Sequence, residues 1–419
     1  MQEALRRRYA EAREKAYATP LDRYQVADNE LFRGDTLWPW FERLRKEDPV
    51  HYTAESEYGP YWSVTKHKDI IAVDSNHRVF SSDSELGGVT IFEGRQPREQ
   101  SSFIALDPPT HDQQRKVIAP MFAPESLKIL EPLIRERAAA ILDELPRNET
   151  FDFVDKVSIE LTSQMLATLM DFPYDQRRLL PRCSDIILTP PGIDSTGRND
   201  MERQVELFNT LGLFVGIWNE RLAKPPQHDL VSMLCHNEAT FRAAPEQYLG
   251  NIILLIVAGS DTTRHSITGG LLALNQHPDQ YDKLRANPAL IESMIPEIIR
   301  WQSPVAHMRR TALSDIELGG KQIKAGEKVI MWYVSGNRDE EAIDRPDEFI
   351  IDRERPRQHV SFGFGIHRCV GMRLAEMQLR IMWEEILKRF PRIEVVGEPQ
   401  RMNSNFVKGF ERMDVRIAA

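Results

Sequence analysis

Cys369 is the side chain in this sequence with the clearest capacity for chemistry. It lies in Ser361-Phe-Gly-Phe-Gly-Ile-His-Arg-Cys-Val-Gly371, where Gly363, Gly365 and Gly371 fall within nine residues and a helical pattern follows at once. Glycine permits a tight backbone path and lets N–H groups come close to whatever the sulfur binds. A cysteine just before a helix start also feels the positive end of the helix dipole, which favours the thiolate and suits metal ligation. A second reading makes Cys369 a small buried apolar group, as Cys183 and Cys235 are taken to be. A zinc site built with His367 would need further ligands, and no second pair stands nearby in sequence.

Other chemistry-bearing residues are spread along the chain. Ala258-Gly-Ser-Asp-Thr-Thr263 interrupts an apolar helical stretch with Asp261 and the hydroxyls of Ser260, Thr262 and Thr263. Polar groups buried without partners cost about 1–3 kcal/mol each, so this insertion has either a function or a local backbone role at a cap or turn. Glu297 and Arg300 stand one helical turn apart on one face, and Arg353 follows later, which reads as a structural charge network. His111 and Arg115 share a helix face, while Arg310 and His367 add further cationic or donor groups.

The elements that must position these groups are mainly helical. Apolar spacing of three and four residues predicts helices over 37–46, 114–121, 124–144, 157–169, 201–222, 245–276, 291–302 and 370–389. Short strands are expected at 50–53, 61–64, 316–318, 322–323 and 328–333, with Gly319-Gly320 as a hairpin turn. Residues 81–107 and 188–200 read as long loops over a pocket.

Phe362, Gly365, Cys369 and Gly371 match the signature Phe-x-x-Gly-x-x-x-Cys-x-Gly, and through it the chain resembles the cytochrome P-450 haem-thiolate monooxygenases. The central-helix insertion, Glu297/Arg300 and the propionate partners follow in the order that family requires. The resemblance implies a mainly α fold: one large helical domain with a smaller β-rich region, and haem buried between the central helix and the cysteine loop. That domain would span 37–419, with 1–36 an N-terminal extension packed on it or preceding it. It implies haem b with Cys369 as the iron ligand, and dioxygen as co-substrate. Cofactor contacts fall on His111, Arg115, Ala258, Gly259, Arg310, Phe362, Gly363, His367 and Gly371. The pair Asp261 and Thr262 would supply protons to dioxygen.

No nucleotide fingerprint, flavin domain or iron–sulfur cysteine cluster is visible, so electrons are expected from a ferredoxin and a ferredoxin reductase using NAD(P)H. Arg368 and Arg373 would dock such a partner. Family positions put Val89, Ile91 and Phe92, Leu254 and Val257, Val305 and Met308, and Phe406 and Val407 around a lipophilic substrate. Met308-Arg-Arg-Thr-Ala312, Met331-Trp-Tyr333, Asn337-Arg-Asp-Glu-Glu341 and Arg355-Pro-Arg-Gln-His359 resemble the bacterial subfamily that hydroxylates the terminal carbon of medium-chain alkanes and fatty acids. Ala258-Gly259-Ser260 stands where that subfamily has Gly-Gly-Asn, which touches the pocket. Terpene or sterol side-chain hydroxylation is the alternative substrate reading. A peroxide-driven haem enzyme or a haem sensor is the alternative class.

Composition is that of a soluble globular protein and excludes some partners. The 419 residues carry 54 Lys and Arg against 63 Asp and Glu, net −9, with 41% hydrophobic residues. That acidic balance, without a basic block, argues against nucleic acid. The apolar run 252–258 is far short of the roughly 20 residues a membrane span needs. Residues 1–18 alternate charges without an apolar run, and a cytoplasmic protein is expected.

Overall fold

The computed structural model describes residues 2–418 except 93, 94, 96, 99, 100, 190–196 and 242–244, and the side chains of these residues apart from 2–6, 241 and 245. Its organising element is a 32-residue helix, Pro245–Gln276, about 48 Å long at 1.5 Å per residue. Ile252, Ile256, Ile267 and Leu271 on this helix are buried in the main core. They share it with Leu161 and Met165 of helix Glu160–Met170, Ile298 of helix Ile291–Gln302, and Met382 and Trp383 of helix Met372–Arg389. Each such aliphatic side chain contributes about 1.5–3 kcal/mol by burial. No described helix is long and apolar enough to cross a membrane.

The β-rich region is a five-stranded sheet in the order Val50–Thr53, Tyr61–Val64, Lys328–Trp332, His307–Ala312, Phe80–Ser81. Lys328–Trp332 is buried along its length, as a strand paired on both sides requires. The expected hairpin forms: Gly319 and Gly320 take φ of 56° and 76° between strands Ile316–Leu318 and Lys321–Ile323, a turn that needs positive φ at both positions.

Where the elements differ from expectation, the causes are local. Expected helix 157–169 begins as a π-helical turn, Val154–Ile159, tied to the central helix by a 2.8 Å hydrogen bond between the Ser158 and Thr268 hydroxyls. Expected helix 114–121 begins earlier, at Thr110, ends at Ile118 and passes into a 3-10 turn that contains Pro120. The last long helix starts at Met372 rather than 370, because Gly371 is its N-cap. Helices Gln2–Ala18, His67–Ser75 and Pro278–Ala286 carry too little apolar periodicity to stand out in the sequence, whereas Leu179–Leu188 is amphipathic but only ten residues long, with Pro181 in its first turn.

Of the two long loops, 81–107 contains 3-10 turns at Ser84–Leu86 and Phe103–Ala105. In the other, 190–196 lie outside the described residues. Asn199 then caps helix Asp200–Leu222 with a reciprocal Glu202 bond. The N-terminal helix lies against helix Trp38–Glu47 through an Arg13–Glu42 ion pair, and Arg43 donates to the carbonyls of Ala16 and Thr19.

Candidate active site

The cysteine loop is held at several points before it presents its sulfur. The Ser361 hydroxyl donates to the Ile299 carbonyl (3.0 Å) and accepts from Asn337 Nδ2 (2.7 Å), whose Oδ1 in turn accepts from Val360 N (2.8 Å). Phe364 N donates to Asp74 (2.7 Å) and Cys369 N to the Phe362 carbonyl (2.8 Å). Gly363 and Gly365 both have φ of 65°, and a Cβ on Gly365 would lie 2.5 Å from the Asp74 carbonyl oxygen. The loop therefore needs glycine there for both its backbone angle and its packing.

Cys369 lines a cavity of about 1540 Å³ including its opening to solvent, and its exposed surface faces that space. A lowered thiol pKa, expected from the helix start, does not hold for the polypeptide by itself. Burial is the largest influence and pushes the thiol up, against the N–H groups of Gly371 and Met372 and the cations Arg115 and Arg368. A coordinated metal ion would reverse that balance, since a ligating thiol is deprotonated outright.

Ala258, Gly259 and Thr262 of the central helix line the same cavity. The insertion lies in mid-helix, so it is neither cap nor turn, although Thr262 Oγ1 does donate to the Ala258 carbonyl at 3.0 Å. Asp261 is fully buried and absent from the cavity wall. Its carboxylate pairs with Arg264 (2.8 Å) and accepts from the Ser184 hydroxyl (2.6 Å), while Arg264 also reaches Asp185 (2.6 Å). Burial pushes Asp261 above the ordinary carboxylate range, and Arg264 works against it. The acid thus sits directly behind Thr262 in the chain, in a charged cluster that ties the central helix to helix Leu179–Leu188.

Arg115, Arg310 and His367 also line the cavity. Arg310 is fixed by Asp74 (2.7 Å), which further accepts from the Tyr333 hydroxyl (2.9 Å); Arg115 donates to the Arg368 carbonyl. His111 stands one layer behind, with its ring 4.2 Å from that of His367. Its Nδ1 meets Asp112 at 2.8 Å, while its Nε2 and both ring nitrogens of His367 are buried without hydrogen-bond partners. Burial holds both imidazoles below their ordinary pKa. At least one His367 ring nitrogen carries a proton, and a buried donor without an acceptor beside two arginines calls for an anionic group. A haem suits this donor set: a thiol for the iron, and Arg115, Arg310 and His367 for two propionates. Among the described residues no cluster of three or more His, Cys, Asp or Glu side chains offers a metal site, so a zinc reading of Cys369 and His367 has no support.

The apolar part of the wall includes Leu254, Val305 and Met308, with Phe362, Gly363 and Gly371 near the cysteine. Val257, Val89, Ile91, Phe92, Phe406 and Val407 do not line it. Ile91 is fully buried in a second core with Tyr58 and Trp332, and its N–H meets His307 Nε2 at 3.2 Å. The Val89 carbonyl accepts from Arg309 N, and Phe92 is half-exposed with its edge on Tyr58. Phe406 packs on His307, and Val407 forms an isolated bridge with Val305. In their place stand Phe103, Ile104, Met165, Leu166 and Leu169. Their helical or loop spacing is that of ordinary core residues, so sequence offers no sign of the role.

Comparison with known proteins agrees with this geometry. The cytochrome P450 family profile matches residues 218–412. Linalool 8-monooxygenase of Pseudomonas putida is 37% identical, covering 94% of this chain and 99% of its own. Steroid C26-monooxygenase of Mycolicibacterium smegmatis is 33% identical over 89% and 88%. The solved structure of cytochrome P450-153 from Novosphingobium aromaticivorans superposes with a TM-score of 0.86 at 43% identity, covering 94% and 99%. A thiol, two arginines and a threonine on one apolar cavity, with a buried acid next to that threonine in the chain, thus occur in a chain with full-length monooxygenase relatives. It belongs to the cytochrome P450 family and is an oxidoreductase that inserts one oxygen atom from dioxygen into a lipophilic substrate.

Proposed function

We propose that the protein hydroxylates the terminal carbon of medium-chain alkanes or fatty acids, using haem b and electrons from a ferredoxin and its NAD(P)H-dependent reductase. The supporting observation is the cavity wall: among the described residues its only charged side chains are Arg115 and Arg310, and both are engaged on the propionate side. A neutral chain meets no further charged side chain there, while a fatty acid would keep its carboxylate outside the apolar part. The likeness to cytochrome P450-153 supports the same reading. When bound, the haem supplies activation of dioxygen and oxidation of the C–H bond.

The chain's own residues do the rest. Cys369 ligates iron, and Arg115, Arg310 and His367 hold the propionates, with His111 supporting the His367 ring. Leu254, Val305 and Met308 exclude water and hold a methyl terminus near the reacting centre, which is how a strong primary C–H bond is selected. Thr262 donates a proton from its Oγ1, and Asp261 restores that proton after turning from Arg264. Exposed Arg368 and Arg373 offer charge to an acidic electron donor. An intact acid–alcohol pair counts against the peroxide-driven and sensor readings.

The test is a spectral titration of the ferric protein with n-octane, a medium-chain fatty acid and a monoterpene, followed by the high-spin shift. A response to the linear chains supports terminal hydroxylation. A response to the terpene alone replaces it with the terpene reading, which the identity to linalool 8-monooxygenase favours. Thr262→Ala is expected to keep haem bound and consume NAD(P)H while product per electron falls by about tenfold or more, within the range of general-acid effects. Unchanged coupling of NAD(P)H to product would remove Thr262 from the proton path.

A further inference from the structure

A second cavity, of about 1590 Å³ including its open mouth, shares no lining residue with the haem cavity. It lies against the C-terminal half of the central helix, beside Arg8 and Tyr9 of the N-terminal helix. Its wall holds two buried cations, Arg338 and Lys408, each 6% exposed. The Arg338 guanidinium stands between two tryptophans, 4.4 Å from the Trp38 ring centroid and 3.7 Å from that of Trp301, and Lys408 Nζ is 5.2 Å from Trp38.

Among the described residues Lys408 makes no ion pair, and Arg338 pairs only with the exposed Asp347. Arg338 reaches the Pro346 carbonyl (3.4 Å) and the exposed Asp347 carboxylate (3.2 Å) through one nitrogen, and its Nε is buried without an acceptor. The bond given for Lys408 Nζ is to the Gln302 carbonyl at 3.1 Å, one of the three it can donate. Asp35, a part-buried carboxylate in the same wall, already accepts from Trp38 Nε1 (3.1 Å) and Arg401 (2.9 Å), and Arg8 is paired with Glu398. With Arg8 matched to Glu398, Arg401 to Asp35 and Arg338 to Asp347, the wall still carries Lys408 in excess, and buried charge without a partner is unfavourable. Burial pushes Lys408 down to about 7, with Asp35 opposing and Arg401 and Arg338 reinforcing the fall.

We propose that this cavity is a binding site for a small oxyanion, a carboxylate or a phosphate, held by Arg338 and Lys408 beside Trp38 and Trp301. Nothing in the monooxygenase chemistry uses these residues, so the site stands or falls independently of the substrate reading. The ligand would bridge the N-terminal helix, the central helix and the segment after Asn337.

The experiment titrates the haem-loaded full-length protein with inorganic phosphate and, separately, with acetate, at constant ionic strength. Tryptophan fluorescence and haem absorbance are read together. The expected result is a saturable fluorescence change with at least one probe and no change in haem absorbance. Saturation by phosphate alone, or by acetate alone, identifies the oxyanion. Affinity should fall at least tenfold in Lys408→Gln, which keeps a donor for the Gln302 carbonyl, and should persist in Lys408→Arg. Arg338→Lys should weaken it while keeping the charge between the tryptophans. Absence of saturation with both probes, a fluorescence change that tracks the haem spectrum, or undiminished affinity in a folded Lys408→Gln variant each overturns the proposal.

Discussion

Cys369→Ser is expected to abolish the thiolate signature of the reduced carbonyl complex and to lower hydroxylation at least about a thousandfold, or about 4 kcal/mol of barrier. The loss is chemical rather than structural. Every bond that shapes the loop is made by other atoms: Cys369 by its own N–H to the Phe362 carbonyl, Phe364 N to Asp74, and Ser361 to Ile299 and Asn337. Serine adopts the same backbone angles, and Arg115, Arg310 and His367 remain to hold the propionates. Haem content should therefore change far less than activity. A hydroxyl has neither the polarisability nor the acidity of a thiol, and it withholds the electron donation that favours O–O cleavage. The measurement is a carbonyl difference spectrum alongside product formation at matched haem content. Survival of the thiolate signature would assign the ligand to another residue.

The parts of this site that were legible from sequence are those whose need is local. Gly363 and Gly365 announce an unusual backbone because φ of 65° is set residue by residue, and the structure shows what a Cβ would strike. Asp261 and Thr262 stand out because acid and hydroxyl contradict the helix around them. Asp74 gave no such sign. It closes a short helix, as any surface acid might, and its importance comes from three donors on distant segments: Arg310, Tyr333 and Phe364 N. The substrate wall failed for a related reason. Ile91 and Leu166 are equally apolar, and only the tertiary path of the loop after Phe80 and the packing of helix Glu160–Met170 put one in a second core and the other on the cavity wall. The N-terminal helix was hidden because polar bonds to Glu42 and Arg43, rather than an apolar stripe, secure it.

Glu297→Gln is expected to destabilise the fold by about 3–5 kcal/mol, the usual consequence of leaving one buried charge of a pair without its partner. Glu297 and Arg300 are both fully buried and meet at 2.8 Å through two parallel bonds, while Arg353 adds a third at 3.0 Å and Ile350 N a fourth at 2.9 Å. Burial alone would raise the Glu297 carboxyl, but Arg300, Arg353 and that N–H outweigh it and hold it below the ordinary value. A folded pKa below the unfolded one means that the carboxylate's contribution is complete above about pH 4.3 and is lost as pH falls through the folded value. Wild type should thus lose stability in acid while the variant changes less, and the gap between their urea midpoints should narrow below pH 4. Equal midpoints at pH 7 would refute the role. The effect should reach the iron as well. Arg300 also donates to the Asn337 carbonyl (2.9 Å), and Asn337 holds both Val360 N and the Ser361 hydroxyl at the root of the cysteine loop. Loss of one buried carboxylate charge therefore loosens the segment that presents Cys369, and haem should leave the variant at a lower urea concentration than wild type.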